Sequence, residues 1–216
     1  MEELSILTAL SRSRAPGPSP SFGDYHLLWT IDIIAFEAPV GRSRLSEILG
    51  LGEGVGRTIV ERLREEGLIE VSRSGCSLTD RGKDFLETVR GLISRPILLT
   101  GSPIGFGRFN MAILVINASQ LVRSGIEERD VSIRAGALGA MTLIFKNNTL
   151  RAPGLSNDAG QDFPEITDQL LGKFQPAEGD VILIVAADGL AVAEQAVRAA
   201  ALSLFRGKRS KSHSVK

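Results

Sequence analysis

The sequence predicts a two-domain α+β protein, and three observations carry that reading. From Arg42 to Gly82 the chain reads RSRLSEILGLGEGVGRTIVERLREEGLIEVSRSGCSLTDRG. Two short amphipathic segments flank a glycine-rich turn, followed by two strand-like runs and a further helix start. That order is a helix-turn-helix with a wing, which sets one helix into a DNA groove. Beyond Pro96 the periodicity changes, and unbroken apolar runs of strand length occur at Met111–Ile116 and Val181–Ala187. The length of 216 residues suits one large or two small domains. The class is thus an N-terminal winged helix-turn-helix followed by a C-terminal α/β sandwich domain.

In chain order, residues 1–19 read as a flexible N-terminal segment. A short helix can form within 1–11, and a Pro/Ser linker, RSRAPGPSPS, runs from Arg12 to Ser21. Ser21 stands three residues before Asp24 and resembles a capping box. An amphipathic helix over about 22–37 follows, with Leu27, Leu28, Ile31, Ile34 and Ala35 inward. Pro39 and Gly41 end it. The second helix, about 43–49, buries Leu45, Ile48 and Leu49. The third, about 54–66, turns Gly56, Ile59, Val60 and Leu63 inward and stops at Gly67. Ile69–Ser72 and Cys76–Leu78 pair across Arg73-Ser74-Gly75 as the wing. Thr79 caps a helix over about 80–93. The winged domain spans 20–94.

In the second domain, 95–205, Met141–Phe145 and Thr149–Ala152 read as a hairpin across Lys146-Asn147-Asn148, and Asp130–Arg134 as a further strand. Helices are expected at about 118–125, 164–173 and 189–205, the last alanine-rich. Residues 206–216 form a basic tail with no acidic residue, expected to be disordered and able to add nonspecific phosphate affinity.

The formal net charge is zero, and residues 1–94 carry 11 basic against 14 acidic side chains. A DNA-binding reading therefore rests on where the arginines sit. With the inward positions of the third helix fixed, Val55, Arg57, Thr58, Glu61, Arg62 and Arg64 face outward. Arg57 and Thr58 lie in the first turns, where base edges are read. Arg42, Ser43 and Arg44 open the second helix, where a helix start grips phosphate. Arg73 tips the wing. Glu61, Glu65 and Glu66 keep two alternatives open: a solvated face, or a winged helix that binds protein or RNA.

The run EGVGRTIVERLREEGLI, Glu53 to Ile69, resembles the signature of winged-helix transcription regulators. It is similar to the DNA-binding region of the central glycolytic gene regulator family. With GPSPSF, Gly17 to Phe22, ahead of it, the chain from about 15 to 205 resembles an uncharacterised archaeal family. There a winged helix precedes a C-terminal domain of unknown function. Such helices often carry a β-branched residue where this chain has Gly56, so the resemblance implies a looser contact between the second and third helices.

Motifs for chemistry are sparse. The glycines from Gly50 to Gly56 follow a helix rather than a strand, so the dinucleotide-binding context is missing. Gly101–Gly107 is a second glycine-rich loop with no phosphate-binding lysine at the Walker spacing. Asp188 reads as a helix cap or as a ligand contact at a strand end. Asp158, Asp162, Glu165 and Asp168 flank a helix start at Phe163-Pro164, and acids there need no metal. Two histidines, His26 and His213, and one cysteine, Cys76, make zinc or a Cys-His pair an unfavoured reading. No cofactor, metal or catalytic residue is assigned. No apolar run is long enough to span a bilayer, and the start is acidic rather than signal-like. The reading is a cytoplasmic regulator, a homodimer on double-stranded DNA, whose C-terminal domain dimerises or senses a small-molecule effector. An enzyme with an accessory winged helix and a protein-interaction adaptor are the competing readings.

Overall fold

The computed structural model describes residues 2–14, 20–101, 105 and 107–206. The chain divides into two compact units, Met1–Arg90 and Gly91–Lys216. Part of the Pro/Ser linker, part of the Gly101–Gly107 loop and the basic tail after Arg206 lie outside the described residues.

The first unit contains α1 (Glu2–Leu10), α2 (Asp24–Glu37), α3 (Arg42–Leu49), α4 (Glu53–Glu65), β1 (Ile69–Val71), β2 (Cys76–Leu78) and α5 (Asp80–Arg90). The short helix expected within 1–11 forms over Glu2–Leu10, inside the stretch through residue 19 that was expected to be flexible. Helix α1 buries Leu4, Leu7 and Leu10 and packs on α2 and α5. Those leucines recur at i, i+3 and i+6, an apolar stripe that pattern reading registers only as a weak helix.

Helix α2 is the axis of the unit. Rather than one inward stripe, it buries a continuous run from His26 to Ile34, while Ala35, expected inward, is exposed. A helix covered on all sides loses the amphipathic signal. Its cap is Gly23, not Ser21, and the Gly23 N–H donates to His26 Nδ1 at 3.0 Å. Asp32, also buried, pairs with Arg90 at the end of α5.

Thr79 accepts the Gly82 N–H at 3.0 Å and starts α5 as expected. Gly82 allows the close approach there, because a Cβ would overlap the Leu68 carbonyl oxygen. At the wing, β1 and β2 pair antiparallel, Ile69 opposite Leu78. Val40 adds a third strand position through paired bonds with Cys76, 2.8 and 3.1 Å. Gly75 lies so close to Val40 that a Cβ would sit 2.8 Å from its backbone.

The second unit holds one sheet of β3 (Ile97–Leu99), β4 (Phe109–Val115), β5 (Gly139–Lys146), β6 (Thr149–Arg151) and β7 (Val181–Ala187). The order is β3-β4-β7-β5-β6 and every neighbouring pair is antiparallel. The remaining helices are α6 (Ile126–Arg134), α7 (Ala159–Asp162), α8 (Pro164–Phe174) and α9 (Leu190–Arg206). Ala112, Leu114, Ile182 and Ile184 face one way, into a cluster with Ala159, Ile166 and Leu170 of α7 and α8. Strand alternation turns Met111, Ile113, Leu183 and Val185 to the opposite face, where α6 and α9 pack. Both faces of β4 and β7 are therefore dry, which is why their sequences are unbroken apolar runs.

Two expectations fail in this unit. Asp130–Arg134 is the end of helix α6, not a strand. Gly125, at φ 80°, reverses the chain before it, and Glu127 and Glu128 open its first turn. The helix expected at 118–125 is only a 3-10 turn at Ser119–Leu121, ended by Val122 in extended conformation. Asp158 accepts the Gly160 N–H at 2.9 Å and caps α7. In α9 the capping position is Gly189, whose carbonyl accepts from Ala193 N–H at 3.0 Å, rather than Asp188.

Candidate nucleic-acid interface

The turn between α3 and α4 passes through Gly50, in the left-handed conformation at φ 65°, to Gly52, which caps α4. Gly56, Ile59, Val60 and Leu63 are buried against the unit's core, as the spacing predicts. Gly56 does the opposite of loosening the α3–α4 contact. A Cβ there would overlap the Ser46 hydroxyl and lie 3.3 Å from the Ser46 Cβ. The missing side chain lets Ser46, itself buried, press on the α4 backbone. Gly67, at φ 75°, closes the helix, with Leu68 N–H donating to Leu63 O at 3.0 Å.

The exposed strip of α4 is Glu53, Gly54, Arg57, Glu61 and Arg64, spaced so that all lie on one face. Its charge alternates in sign. Thr58 is half-buried and its hydroxyl donates to Gly54 O at 3.0 Å, which leaves its oxygen lone pairs as acceptors. Arg42 and Ser43 are exposed in the first turn of α3. The Arg42 charge is felt at the buried Cys76 thiol of the wing, where burial raises the thiol pKa and Arg42 opposes it. Arg44, beside them, is engaged by Glu47 at 3.0 Å and Glu37 at 3.8 Å. Arg73 is exposed at the wing tip, in a turn closed by Ser72 N–H to Gly75 O at 2.9 Å.

Arg62 contradicts its assignment to the outward face. It is 7% exposed and donates to the Leu10 carbonyl and, at 2.8 Å, to the Arg12 carbonyl. Its guanidinium lies 4.9 Å from the centre of the Phe22 ring. The reason is the segment after α1, which runs back along α4 and covers this side. Arg14, on the same segment, pairs with Glu65. Desolvation by burial lowers the Arg62 pKa first, and the Arg14 charge adds to that, against Glu65. An arginine remains charged at neutral pH through such shifts. Between this segment and α4 lies a cleft of about 510 Å³ lined by Arg14, Phe22, Gly52, Val55, Thr58 and Arg62.

The arm is what sequence reading missed. Arg14 brings a basic group, and Arg12 a main-chain carbonyl, beside α4, and the Ser-Arg-Ser-Arg run at 11–14 is a signal that could have found them.

These elements form a helix-turn-helix with a wing, and the comparisons agree. Residues 25–93 match the CggR N-terminal DNA binding domain. Residues 106–204 match a domain of unknown function, DUF4443. The chain is 31% identical over 70 residues to the central glycolytic genes regulator of Bacillus subtilis (strain 168). That stretch is 32% of this chain but only 21% of the regulator, so the likeness is confined to one domain. A hypothetical protein from Pyrococcus horikoshii superposes with a TM-score of 0.71 at 27% identity, over 87% of this chain and 95% of that one. The chain thus carries a CggR-type DNA-binding domain ahead of a C-terminal domain whose role the comparisons leave open.

Among the described residues, no group of three or more His, Cys, Asp or Glu side chains is placed to hold a metal ion. No described helix is long and apolar enough to cross a membrane.

Proposed function

We propose that this protein is a transcription regulator that binds double-stranded DNA through α4 and the wing. The observation that carries this is the exposed Arg57 in the first turns of α4, on a CggR-type domain. In this arrangement Arg57 reads a base edge, with the Thr58 hydroxyl, its proton held by Gly54 O, accepting from a base amino group beside it. Arg42 and Ser43 hold a phosphate at the start of α3, supported by their exposure and by the helix N-terminus. Arg44 contributes less, because Glu37 and Glu47 already neutralise it. Arg64 and Arg73 reach the flanking backbone. Arg62 is a framework residue.

One helix reads few bases, so the protein acts as a homodimer on paired half-sites. The C-terminal unit supplies the dimer contact, and an effector bound there changes DNA affinity by favouring one arrangement. It is not an enzyme. A cytoplasmic location follows from the DNA partner. Glu61, alternating with arginine on the α4 strip, favours a protein-interaction adaptor as the second reading.

Selection of bound fragments from a random DNA library by the tagged protein is the test. A consensus of two half-sites, lost at one base position in Arg57→Ala with a cost of about 1–3 kcal/mol, is expected. Recovery of no sequence above background would overturn the DNA reading in favour of the adaptor.

A further inference from the structure

We propose that the dimer contact is helix α6 packed antiparallel on α6 of a second copy of this chain. This deepens the dimeric part of the reading above and rests on it. The alanine-rich helix α9 is a candidate surface by composition. It is spent inside the chain, however, since Ala196 to Leu202 are buried without a break. Helix α6 differs. Glu128 and Ser132 turn inward, and α6 packs on β5 and α9. Its opposite face carries Ile126, Arg129, Asp130 and Ile133, the i, i+3, i+4, i+7 positions of one stripe. Ile126 is 53% and Ile133 45% exposed, a large apolar pair for a solvent-facing position.

The order of the stripe identifies the occupant. Read in either direction from its midpoint between 129 and 130, it runs charge, then isoleucine. The charges on the two sides are opposite. In an isologous two-fold contact residue i meets j and j meets i. Two antiparallel copies centred there put Ile126 against the partner's Ile133, and Arg129 against the partner's Asp130, each twice. The stripe is complementary to itself in charge, which an unrelated partner would not require. Within one chain Arg129 and Asp130 meet only at 3.4 Å, both about half exposed, so they are free to exchange partners. One short stripe buries less than the roughly 1,200 Å² of a stable interface. Leu138 and Leu190, each 46% exposed, extend it. They lie near the α6 C-terminus, which is tied to the first turns of α9 by Gln195 Nε2 donating to Ala135 O at 2.7 Å.

The test is sedimentation equilibrium of the full chain with Arg129→Asp, Asp130→Arg and the double exchange. Each single exchange sets like charges face to face twice and raises the dimer dissociation constant about tenfold or more. The double exchange restores it. In a separate arm, Ile126→Cys and Ile133→Cys chains form a disulfide dimer when mixed, and neither does alone. All substituted side chains are exposed, and circular dichroism checks that the folds are intact. A wild-type dimer indifferent to both single exchanges overturns the α6 contact. So does a wild-type chain that stays monomeric at tens of micromolar. Binding to a single half-site, measured in parallel, separates these failures from failure of DNA recognition, because it does not need the dimer.

Discussion

Replacing Arg62 by alanine separates a framework arginine from a DNA-contacting one. The guanidinium supplies charged donors to two main-chain carbonyls, Leu10 and Arg12, and covers the Phe22 ring at 4.9 Å. Hydrogen bonds to a charged group contribute about 1.5–3 kcal/mol. A partly desolvated cation–π contact adds roughly 0.5–2 kcal/mol. Water entering the truncated site recovers part of this, so the expected loss is about 2–4 kcal/mol in the first unit. The one tryptophan, Trp29, is buried in α2 of the same unit and reports its unfolding without interference from the second. Urea denaturation followed by Trp29 fluorescence should show the midpoint fall steeply. DNA affinity measured where the variant is still folded should keep the wild-type salt slope. The reasoning is refuted if the midpoint is unchanged while the slope of log affinity against log salt falls by about 1, the signature of a lost phosphate contact.

Three further outcomes follow from the same geometry. Arg42→Ala should weaken binding to all DNA sequences alike and lower the salt slope by about 1, whereas Arg44→Ala, already paired with Glu47 and Glu37, should lower it less; equal slopes for both would contradict this. Gly82→Ala should destabilise the first unit by about 1–2 kcal/mol, because overlap with the immobile Leu68 carbonyl outweighs the helix-propensity gain of roughly 1 kcal/mol; a raised urea midpoint would be the contrary result. Glu128 is 2% exposed with Oε2 unpartnered, and burial raises its pKa above the ordinary carboxylate value. The folded state then holds a proton that the unfolded state releases, so stability declines as pH rises from the ordinary carboxylate range through the raised pKa. Glu128→Gln should flatten that decline in circular-dichroism unfolding of the second unit, and an unaltered pH profile would count against it.

The first unit was legible in sequence wherever one face of a helix meets water. Ile59, Val60 and Leu63 gave the inward side of α4 correctly, and Gly67 its end. Reading failed where burial is decided by a distant segment. Arg62 sits at an outward angle by helical spacing, and only the arm folded back from α1 encloses it. Gly56 implies a loosened contact only when set against relatives with a β-branched residue there, and in this chain the space is filled by the approach of Ser46. In the second unit the fully buried strands β4 and β7 were found from their unbroken apolar runs. The three-residue strand β3 and the four-residue helix α7 are too short to show a period. Asp130–Arg134 failed as a strand because five residues do not distinguish the two periods, and the deciding signal, Gly125 at positive φ followed by two glutamates, lies upstream.

The arm also changes what α4 can present. By spacing alone the helix offers a broad outward surface from Val55 to Arg64. With residues 12–14 and Phe22 lying along one side, Arg62 is withdrawn and Glu65 is neutralised by Arg14. What remains toward solvent is the strip of Glu53, Gly54, Arg57, Glu61 and Arg64, with the exposed Glu65 beside it paired to Arg14, flanked on the covered side by the cleft that Arg14 and Thr58 line. Glu65, at the covered edge, would otherwise repel a phosphate backbone, and the arm's arginine removes that repulsion without placing a residue of its own on the strip. The arm therefore supports the folded unit through Arg62 and tunes the electrostatics of the reading face through Arg14. A unit with more acidic than basic residues can in this way still leave Arg64 exposed in the last turn of α4 beside a glutamate whose charge is already paired.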